Sequence, residues 1–495
     1  MEPTKQSQPA VAPSVPPSTK PPVAPAIKSV EEDKDTAVLS KDENDIRVAV
    51  IGNVDSGKST LVGVLTKCIK DDGNGFARQH VFNFPHEKDT GRTSSIGHEI
   101  MGFDSNMKQV APLRAKANRN EQWHQITQAS QKYITFIDLC GHEKYLKTTV
   151  FGLSGLMPDY AMIVVGANMG VSKMTKEHLG ISLALDVPFF LVLTKIDIAP
   201  SEVRKNTVQT LCKILNGVKR SAEIIRPEDD MNKVASLFKT GSICPIFSIS
   251  NVTEEGLPIL KAFLSVLNSR INSNPMFKSP KDPVEFLIDD IFNVTGVGVV
   301  VAGTMLSGEV SLNQILLLGP DDVGEFAPVI VRSIHFKREL VAKVSAGQAS
   351  CFAIKYHGVK KDPLKKTSIR KGMVLVDKTS LPRAIWEFNA EVMILHHATM
   401  IQEKYQAVIH CGVIRQTAEV ATMNKEYLKT GDKGTITFRF LYRPEYLHVG
   451  LSLLFMEGRT KGLGKVSSIN YEYRRPKPGV TRDKSEKKLA RKKSA

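Results

Sequence analysis

A glycine-rich segment close to residue 55 has the residue types needed to bind phosphate groups. Residues 52–60 read GNVDSGKST and fit the spacing GxxxxGK[ST] of a phosphate-binding loop. Glycines let backbone N–H groups wrap phosphate oxygens, Lys58 can reach a β- or γ-phosphate, and the Ser59 hydroxyl can bind Mg²⁺. A strand-to-helix turn without a ligand is the alternative. The candidate nucleotide-binding residues of this loop are Gly52, Asn53, Val54, Asp55, Ser56, Gly57, Lys58, Ser59 and Thr60.

A second segment, Thr194-Lys-Ile-Asp197, can select the base of the nucleotide. The Asp197 carboxylate can accept both N–H groups on the Watson–Crick edge of guanine, and the Lys195 stem can pack over the base. Adenine lacks this donor pair and would leave the carboxylate unpaired, a mismatch that can cost about 10⁴-fold. Thr194 stands where GTPases usually carry Asn. After the next apolar run, a further base-side loop is expected at Ser250, Asn251 and Val252.

A third segment, Asp138-Leu-Cys-Gly-His142, ends another apolar run and can sense a γ-phosphate. Asp138 can hold Mg²⁺ through a water, and the Gly141 N–H can bond the γ-phosphate and respond to its loss. His142 then stands where a side chain can orient the attacking water, so it is the candidate catalytic residue. The alternative is a surface histidine that caps the helix expected to begin near Glu143.

A further Mg²⁺ ligand is expected between Thr60 and Asp138. Residues 90–95, TGRTSS, contain four hydroxyl side chains, and a loop threonine on Mg²⁺ would order this loop only in the triphosphate state. We select Thr93 from the four, and a mobile polar loop without a ligand is the alternative. The predicted metal ligands are therefore Ser59, Thr93 and Asp138.

Each of these segments follows a short β-rich run, and this arrangement predicts the fold that positions them. Strand-like runs alternate with segments of helical spacing as far as residue 272. The alternation predicts βαβ units, a mainly parallel sheet and helices on both faces, which is an α/β P-loop G domain over residues 46–275. The predicted strands are 46–51, 133–138, 160–166, 189–194 and 244–249, and the predicted helices include 175–185, 201–215 and 256–268.

The pattern of apolar runs in the sequence changes after Pro283. Short strand-like runs punctuated by Gly predict two all-β barrels, over residues 283–380 and 383–475. Residues 1–45 are predicted to be a leader: residues 1–27 contain eight prolines and are predicted to be disordered, and the acidic stretch from Glu31 to Asp45 is a short helix or a linker. Residues 476–495 are predicted to be a disordered basic tail.

Composition argues against several classes of protein. Six cysteines without CxxC spacing indicate reduced thiols, and neither a disulfide framework nor a zinc site is expected. No run of about 18 apolar residues and no secretory signal occur, so no membrane association is expected. The net charge is +16, and residues 474–495 carry ten Lys and Arg against two Asp and Glu. This excess predicts an anionic partner such as RNA or a ribosome surface, or else a solvated tail that aids solubility.

The motifs and the three-part layout resemble those of the translational GTPases, the elongation-factor-Tu/1-alpha superfamily. They are most similar to its GTP-binding protein one/two subfamily, over about residues 46–470. Thr194 in place of Asn is typical of that subfamily, whereas Cys140 stands where elongation factors usually carry Pro. The segments that carry the resemblance are 91–97, 136–149, 174–180, 194–197, 296–298, 410–418 and 457–460.

This resemblance implies GTP hydrolysis with Mg²⁺ as cofactor, stimulated by the ribosome. It also implies that His142 is the hydrolysis-promoting histidine, that Thr93 is the first switch threonine, and that the barrels help to grip an aminoacyl-tRNA or a related ligand. We therefore expect a monomeric, cytoplasmic switch protein. Its expected partners are the ribosome, aminoacyl-tRNA and, because the subfamily is linked to mRNA turnover, the RNA-decay machinery.

Three alternatives remain open from the sequence. A ribosome-rescue or release-type factor of the same superfamily would hydrolyse GTP but carry a protein in place of a tRNA. A GTP-dependent scaffold for RNA-decay proteins would show negligible turnover. An adenylyl-transfer enzyme subunit built on the same fold would need a catalytic partner chain.

Overall fold

The computed structural model describes residues 44–112, 118–358, 363–457 and 460–473. The basic tail predicted for residues 476–495 lies outside these ranges, and so does the predicted leader except for its last two residues. In the ranges described, no helix is long and apolar enough to cross a lipid bilayer.

The first part of the chain forms a single sheet. Its strands are β1 (Asp45–Gly52), β2 (Gly97–Phe103), β3 (Gln109–Val110), β4 (Lys132–Asp138), β5 (Tyr160–Gly166), β6 (Phe189–Thr194), β7 (Ser221–Ile224) and β8 (Ile243–Ser248). They lie in the order β3-β2-β4-β1-β5-β6-β8-β7. The pairs from β4 to β7 are parallel, and β2 and β3 add an antiparallel edge. Continuous apolar runs suit the central strands because both faces of a parallel sheet are covered.

Helices cover both faces of this sheet, which confirms the predicted α/β class. They are α1 (Lys58–Lys67), α2 (Phe76–Gln79), α3 (Pro85–Thr90), α4 (Arg119–Ala129), α5 (Leu146–Ser154), α6 (Lys173–Ala184), α7 (Ser201–Gly217), α8 (Met231–Lys239) and α9 (Leu257–Val266). Side chains of α1, α8 and α9 fill the core on one face. Those of α5, α6 and α7 fill the core on the other face.

The segment between α1 and β4 contains more regular structure than the sequence predicts. Only a loop with a candidate metal ligand is expected there, whereas the structure forms α2, α3, β2, β3 and α4. Helix α4 begins with a capping box, in which the Asn118 side chain accepts from the Glu121 N–H and the Glu121 side chain returns to Asn118. Helices α2 and α3 are too short for hydrophobic periodicity to reveal them, and α4 buries only Gln122, Trp123 and Ile126 of its 11 residues.

The second part is an antiparallel barrel, as its Gly-punctuated strands predict. Its strands are β9 (Glu285–Val294), β10 (Gly298–Ser307), β11 (Glu309–Ser311), β12 (Ile315–Gly319), β13 (Ala327–Phe336), β14 (Glu339–Val341), β15 (Lys343–Ser345), β16 (Ala349–Tyr356) and β17 (Val374–Val376). The order β12-β17-β9-β10-β16-β13 closes when β13 pairs with β12. Strand β14 extends from β13, and β11 pairs with β15 as a separate ribbon.

The third part is a closed barrel of six strands. These are β18 (Glu387–His396), β19 (Gln406–Cys411), β20 (Ile414–Met423), β21 (Lys433–Phe440), β22 (Ser452–Glu457) and β23 (Thr460–Asn470). They lie in the order β18-β21-β20-β19-β22-β23. Buried phenylalanines from β18, β21 and β22 fill its interior. The two barrels confirm the predicted order of one α/β unit followed by β-rich units.

The β13–β14 hairpin of the first barrel packs on α4 of the first part. The Arg338 guanidinium lies 5.0 Å from the centre of the Trp123 ring and donates to Asn120 Oδ1 at 2.6 Å. The next residue of the hairpin, Glu339, lies 2.9 Å from His124 Nδ1. The barrel and the α/β unit are therefore joined through a helix that the sequence does not predict.

His178 on α6 is fully buried, and neither of its ring nitrogens has a hydrogen-bond partner within the described ranges. Burial lowers the pKa of His178 to about 3, because the interior disfavours the charged imidazolium. The unfolded chain therefore takes up a proton between pH 6.5 and pH 3 that the folded protein does not. Above pH 6.5 this difference vanishes, and stability falls as the pH drops below that value.

We expect His178 to account for a loss of about 2 kcal/mol in the free energy of unfolding between pH 7 and pH 5. Urea unfolding of the wild-type protein and of His178→Phe at both pH values measures this contribution. The variant should lose less stability on acidification than the wild type, and His357→Gln, at an exposed histidine, is the matched control. An equal loss in His178→Phe would contradict the assignment.

Candidate nucleotide-binding site

The phosphate-binding loop has the strand–loop–helix setting that its sequence predicts. It leaves β1 at Gly52, and α1 begins at Lys58. A Cβ atom on Gly52 would lie 2.2 Å from the carbonyl oxygen of Val164 on β5, so only glycine allows this approach. Gly57, with φ of 85°, turns the chain into the helix through the left-handed region that favours glycine.

A cavity of about 320 Å³ lies over this loop and the N-terminus of α1. Three segments meet around it: the phosphate-binding loop, the loop after α3 and the loop after β4. Its lining is Val54, Asp55, Gly57, Lys58, Ser59, Thr60, Arg78, His86, Thr90, Gly91, Arg92, Thr93, Ser94, Gly141, His142, Lys144 and Tyr145. Two of the predicted motifs therefore converge with the Thr93 loop on one cavity.

The three predicted metal ligands lie together, and Ser59 and Thr93 line the cavity. Ser59 Oγ donates to Asp138 Oδ2 at 2.6 Å and lies 2.7 Å from Thr93 Oγ1. The second carboxylate oxygen, Asp138 Oδ1, is buried and has no hydrogen-bond partner in the described ranges. Burial raises the pKa of Asp138 to about 6. A compact set of oxygen atoms with one buried, unpartnered carboxylate oxygen fits Mg²⁺, a hard cation that prefers oxygen ligands.

Thr93 is the only one of the four hydroxyl residues of its loop that reaches Ser59 in the hydrogen bonds described. Thr90 donates its hydroxyl to the His86 carbonyl, and Ser94 and Ser95 donate theirs to Glu87. Because Ser59 gives its single proton to Asp138, the Thr93 hydroxyl is left to donate to Ser59.

Lys58 is the first residue of α1, and its side chain reaches back over the phosphate-binding loop. Its Nζ donates to the Asn53 carbonyl at 2.7 Å, and burial lowers the pKa of Lys58 although Asp138 opposes this effect. Gly141 approaches so closely that a Cβ on it would lie 2.4 Å from Lys58 Nζ and 2.7 Å from the Gly52 carbonyl. Only glycine at position 141 allows the loop after β4 to approach the phosphate-binding loop this closely.

His142 lines the cavity and also caps a short helix. It is exposed, and its Nδ1 accepts the Lys144 N–H at 3.1 Å, which begins the 3₁₀ turn Glu143–Tyr145. A neutral imidazole that accepts at Nδ1 carries its proton at Nε2. The structure thus combines features of both predictions for this residue: the cap is present, and a donor at Nε2 is available at the cavity.

The predicted base-side residues divide into two groups. Thr194 Oγ1 donates to the Ser56 carbonyl at 2.7 Å, and a Cβ on Gly57 would lie 3.7 Å from Asn251 Nδ2, so both reach the phosphate-binding loop. Ser250 Oγ accepts the N–H groups of Val252 and Thr253 and shapes the second base-side loop. By contrast, Asp197 is exposed beyond the end of β6, and neither it nor Lys195 lines the phosphate cavity.

Sequence reasoning missed three charged residues near the cavity. Arg78 and Arg92 line it, and Arg92 Nη2 lies 4.0 Å from Asp55 Oδ2. Glu87 is fully buried beneath the Thr93 loop and accepts hydrogen bonds from it. No sequence motif indicates them, although Glu87 occurs three residues into α3, where an acidic residue is common.

Comparison with known proteins identifies the family to which this chain belongs. Residues 43–273 match the family model described as the elongation factor Tu GTP binding domain. The chain is 48% identical over 435 residues to GTP-binding protein 1 of Xenopus laevis, a match over 88% of this chain but 64% of the relative's length. It is 42% identical over 429 residues to GTP-binding protein 2 of Homo sapiens, over 86% of this chain and 69% of that protein.

The chain belongs to the translational GTPases. Within them it falls in the GTP-binding protein 1/2 subfamily, as the sequence predicts, and its matched domain is a guanine-nucleotide-binding GTPase domain. Elongation factor 1-alpha of Natronomonas pharaonis is more distant, at 26% identity over 458 residues, covering 87% of this GTPase and 100% of that protein.

Solved structures share the fold of this GTPase. A bacterial selenocysteine-specific elongation factor, EF-Sec, superposes with a TM-score of 0.59 at 19% identity, over 90% of this chain and 61% of that one. The elongation factor SelB of Methanococcus maripaludis, in complex with the GTP analogue GPPNHP, gives 0.58 at 21% identity, over 86% and 80%. At these identities the likeness concerns the fold alone.

Proposed function

We propose that this chain is a GTP-hydrolysing switch of translation that engages aminoacyl-tRNA and the ribosome in its GTP state. The observation that carries the proposal is the oxygen cluster of Ser59, Thr93 and Asp138, within which Thr93 Oγ1 and Asp138 Oδ2 both lie within 2.7 Å of Ser59 Oγ. A loop threonine and a strand-end aspartate meeting at a P-loop serine is the arrangement expected of a γ-phosphate switch.

Mg²⁺ bound by Ser59, Thr93 and Asp138 would neutralise charge on the β- and γ-phosphates. Residues of the protein itself would bind the phosphate groups and orient the attacking water. Lys58 would exchange its bond with the Asn53 carbonyl for phosphate oxygens, and the Gly141 N–H would bond the γ-phosphate. His142 Nε2–H would orient the attacking water from the rim of the cavity.

Loss of the γ-phosphate would remove the partner of Gly141 and release Thr93 from the metal. Because Thr93 and Gly141 belong to two different loops, both would change on hydrolysis. The surface formed by these loops would therefore differ between the GTP and GDP states, and a partner that binds it could distinguish them.

The choice of partner is supported by the relatives. Elongation factor 1-alpha, EF-Sec and SelB are all named as elongation factors, and the solved structures of EF-Sec and SelB share the fold of this chain. The net charge of +16 favours an anionic partner such as tRNA or a ribosome surface. We propose a monomeric protein of the cytoplasm, with the RNA-decay machinery as a further partner.

GTP hydrolysis measured with and without purified ribosomes tests the proposal. We expect ribosomes to increase the rate of phosphate release by about tenfold or more, because the hydrolytic side chain would reach its catalytic position only in the assembled complex. A pull-down with aminoacyl-tRNA, with deacylated tRNA as the control, should recover the protein with GTP and not with GDP. Ribosome stimulation without tRNA binding would favour a rescue or release-type factor. No stimulation at all would favour a scaffold.

A further inference from the structure

A single buried carboxylate holds the end of the Thr93 loop. Glu87 of α3 is 0% exposed, and its Oε1 accepts from both residues that follow Thr93. It receives the Ser94 N–H at 2.7 Å and the Ser95 N–H at 3.0 Å. The two serine hydroxyls donate to the same oxygen, at 2.9 and 3.0 Å. Two consecutive residues are thus fixed by both their backbone and their side chains.

The other oxygen of Glu87 fixes the start of α3. Glu87 Oε2 accepts the N–H groups of Asn83 and Phe84 at 3.0 and 3.3 Å. Burial by itself would raise the pKa of Glu87, yet the hydrogen bonds from Ser94, Asn83 and Ser95 outweigh it and hold this pKa below its usual value. The group is therefore an anion at neutral pH, and every partner described for it is a donor.

The same end of the loop has two further attachments. Asn83 Nδ2 donates to Ser95 Oγ and to the Ile96 carbonyl, and Arg119 of α4 donates to Asn83 Oδ1 at 2.6 Å. The Cys140 thiol donates to the Ser95 carbonyl at 3.6 Å, from the loop after β4. On the opposite side of Thr93, the Arg92 side chain is 60% exposed. The loop is therefore held by several hydrogen bonds after Thr93, whereas the residue before it, Arg92, is exposed and makes an ion pair with Asp55 at 4.0 Å.

We propose that Glu87 is a positioning residue for Thr93: it fixes the two residues that follow Thr93, so that the threonine hydroxyl lies within hydrogen-bond distance of Ser59. The inference rests on the proposed function, since Thr93 matters there as a ligand of the nucleotide-bound metal. A carboxylate that only caps α3 would need the Asn83 and Phe84 contacts alone. The four donors from Ser94 and Ser95 have no part in that cap, and they are adjacent to Thr93.

Limited trypsin digestion of the nucleotide-free protein tests the proposal directly. Glu87→Gln keeps the shape of the side chain but loses the charge and places an amide N–H₂ among donors. We expect cleavage after Arg92, mapped by mass spectrometry, to become about tenfold faster than in the wild type. The matched control is Asp104→Asn, which removes another carboxylate that accepts two backbone N–H groups, in the turn between β2 and β3. Its cleavage after Arg92 should equal that of the wild type.

A second variant keeps the proposal testable if Glu87→Gln does not fold. Ser94→Ala combined with Ser95→Ala leaves Glu87 and the backbone bonds intact and removes two of the four donors, so it should give an intermediate rate. Equal cleavage of the wild type, the Glu87 variant and the double variant would overturn the proposal. Rapid cleavage of all variants including Asp104→Asn would also overturn it, because the effect would then reflect general loosening.

Nucleotide affinity extends the test. In magnesium buffer, Glu87→Gln should weaken binding of a fluorescent GTP analogue about tenfold and that of the GDP analogue far less, because only the triphosphate state uses Thr93. Equal weakening for both nucleotides would assign Glu87 to general stability and overturn the positioning role. If the wild type binds neither nucleotide, the proposed function fails, and the trypsin result alone decides the role of Glu87.

Discussion

Replacing His142 by alanine is expected to slow GTP hydrolysis by roughly 10²- to 10⁴-fold while leaving the affinity for GTP close to that of the wild type. The side chain lines the cavity, and in the described hydrogen bonds it makes no contact with the residues predicted to bind phosphate. Its Nε2–H is free to direct a water, and removal of that donor affects the attack on the γ-phosphate more than the binding of the nucleotide. Single-turnover hydrolysis on ribosomes, with nucleotide affinity measured separately, gives both quantities.

The cap that His142 provides must be separated from the proposed catalytic role. Loss of an N-cap costs about 1 kcal/mol, and Asn is among the residues that cap best. His142→Asn can therefore accept the Lys144 N–H, as the imidazole does, but its shorter side chain lacks the Nε2 donor. We expect the asparagine variant to hydrolyse GTP as slowly as the alanine variant. Recovery of the wild-type rate in His142→Asn would show that only the cap matters.

Replacing Asp197 by alanine is expected to abolish the preference for GTP over ATP, a change of up to about 10⁴-fold in relative affinity. Asp197 is exposed after β6, three residues beyond Thr194, whose hydroxyl donates to the Ser56 carbonyl. This bond anchors the end of β6 to the phosphate-binding loop and so fixes where the following residues emerge. Competition of ATP and GTP for a fluorescent guanine nucleotide measures the preference.

A change of specificity tests Asp197 more sharply than a loss of binding. Asp197→Asn replaces one acceptor with a donor, which suits a purine that carries a carbonyl in place of the 2-amino group of guanine. The asparagine variant should therefore bind xanthosine triphosphate better than GTP, whereas the wild type prefers GTP. Guanine preference that survives in both variants would show that another loop reads the base.

The phosphate-binding loop and the order of the three parts could be predicted because their signals are local. A glycine pattern, a lysine and an adjoining apolar run lie within a few neighbouring residues, and the Gly52 and Gly57 conformations follow from them. The same holds for strands such as β5 and β6, whose observed limits match the apolar runs in the sequence.

The support beneath the Thr93 loop could not be predicted, because it depends on contacts that the sequence does not encode locally. Nothing in the residues around Glu87 indicates that Ser94 and Ser95 will fold back onto it. The pairing of Glu339 with His124 joins residues 215 positions apart. The sequence leaves four hydroxyl residues in the loop from which Thr93 is selected, and only the folded structure shows that Ser94 and Ser95 donate to Glu87 while Thr93 lies 2.7 Å from Ser59.

The contact of Arg338 with Trp123 has a consequence for observing this GTPase in solution. Trp123 is 6% exposed, and the chain has one other tryptophan, Trp386, which lies in the second barrel. Any rotation of the first barrel away from the α/β unit must lift the guanidinium from the indole and admit water to it. The emission of Trp123 would then shift to longer wavelength, so the fluorescence of this one side chain would report a separation of the first barrel from the α/β unit.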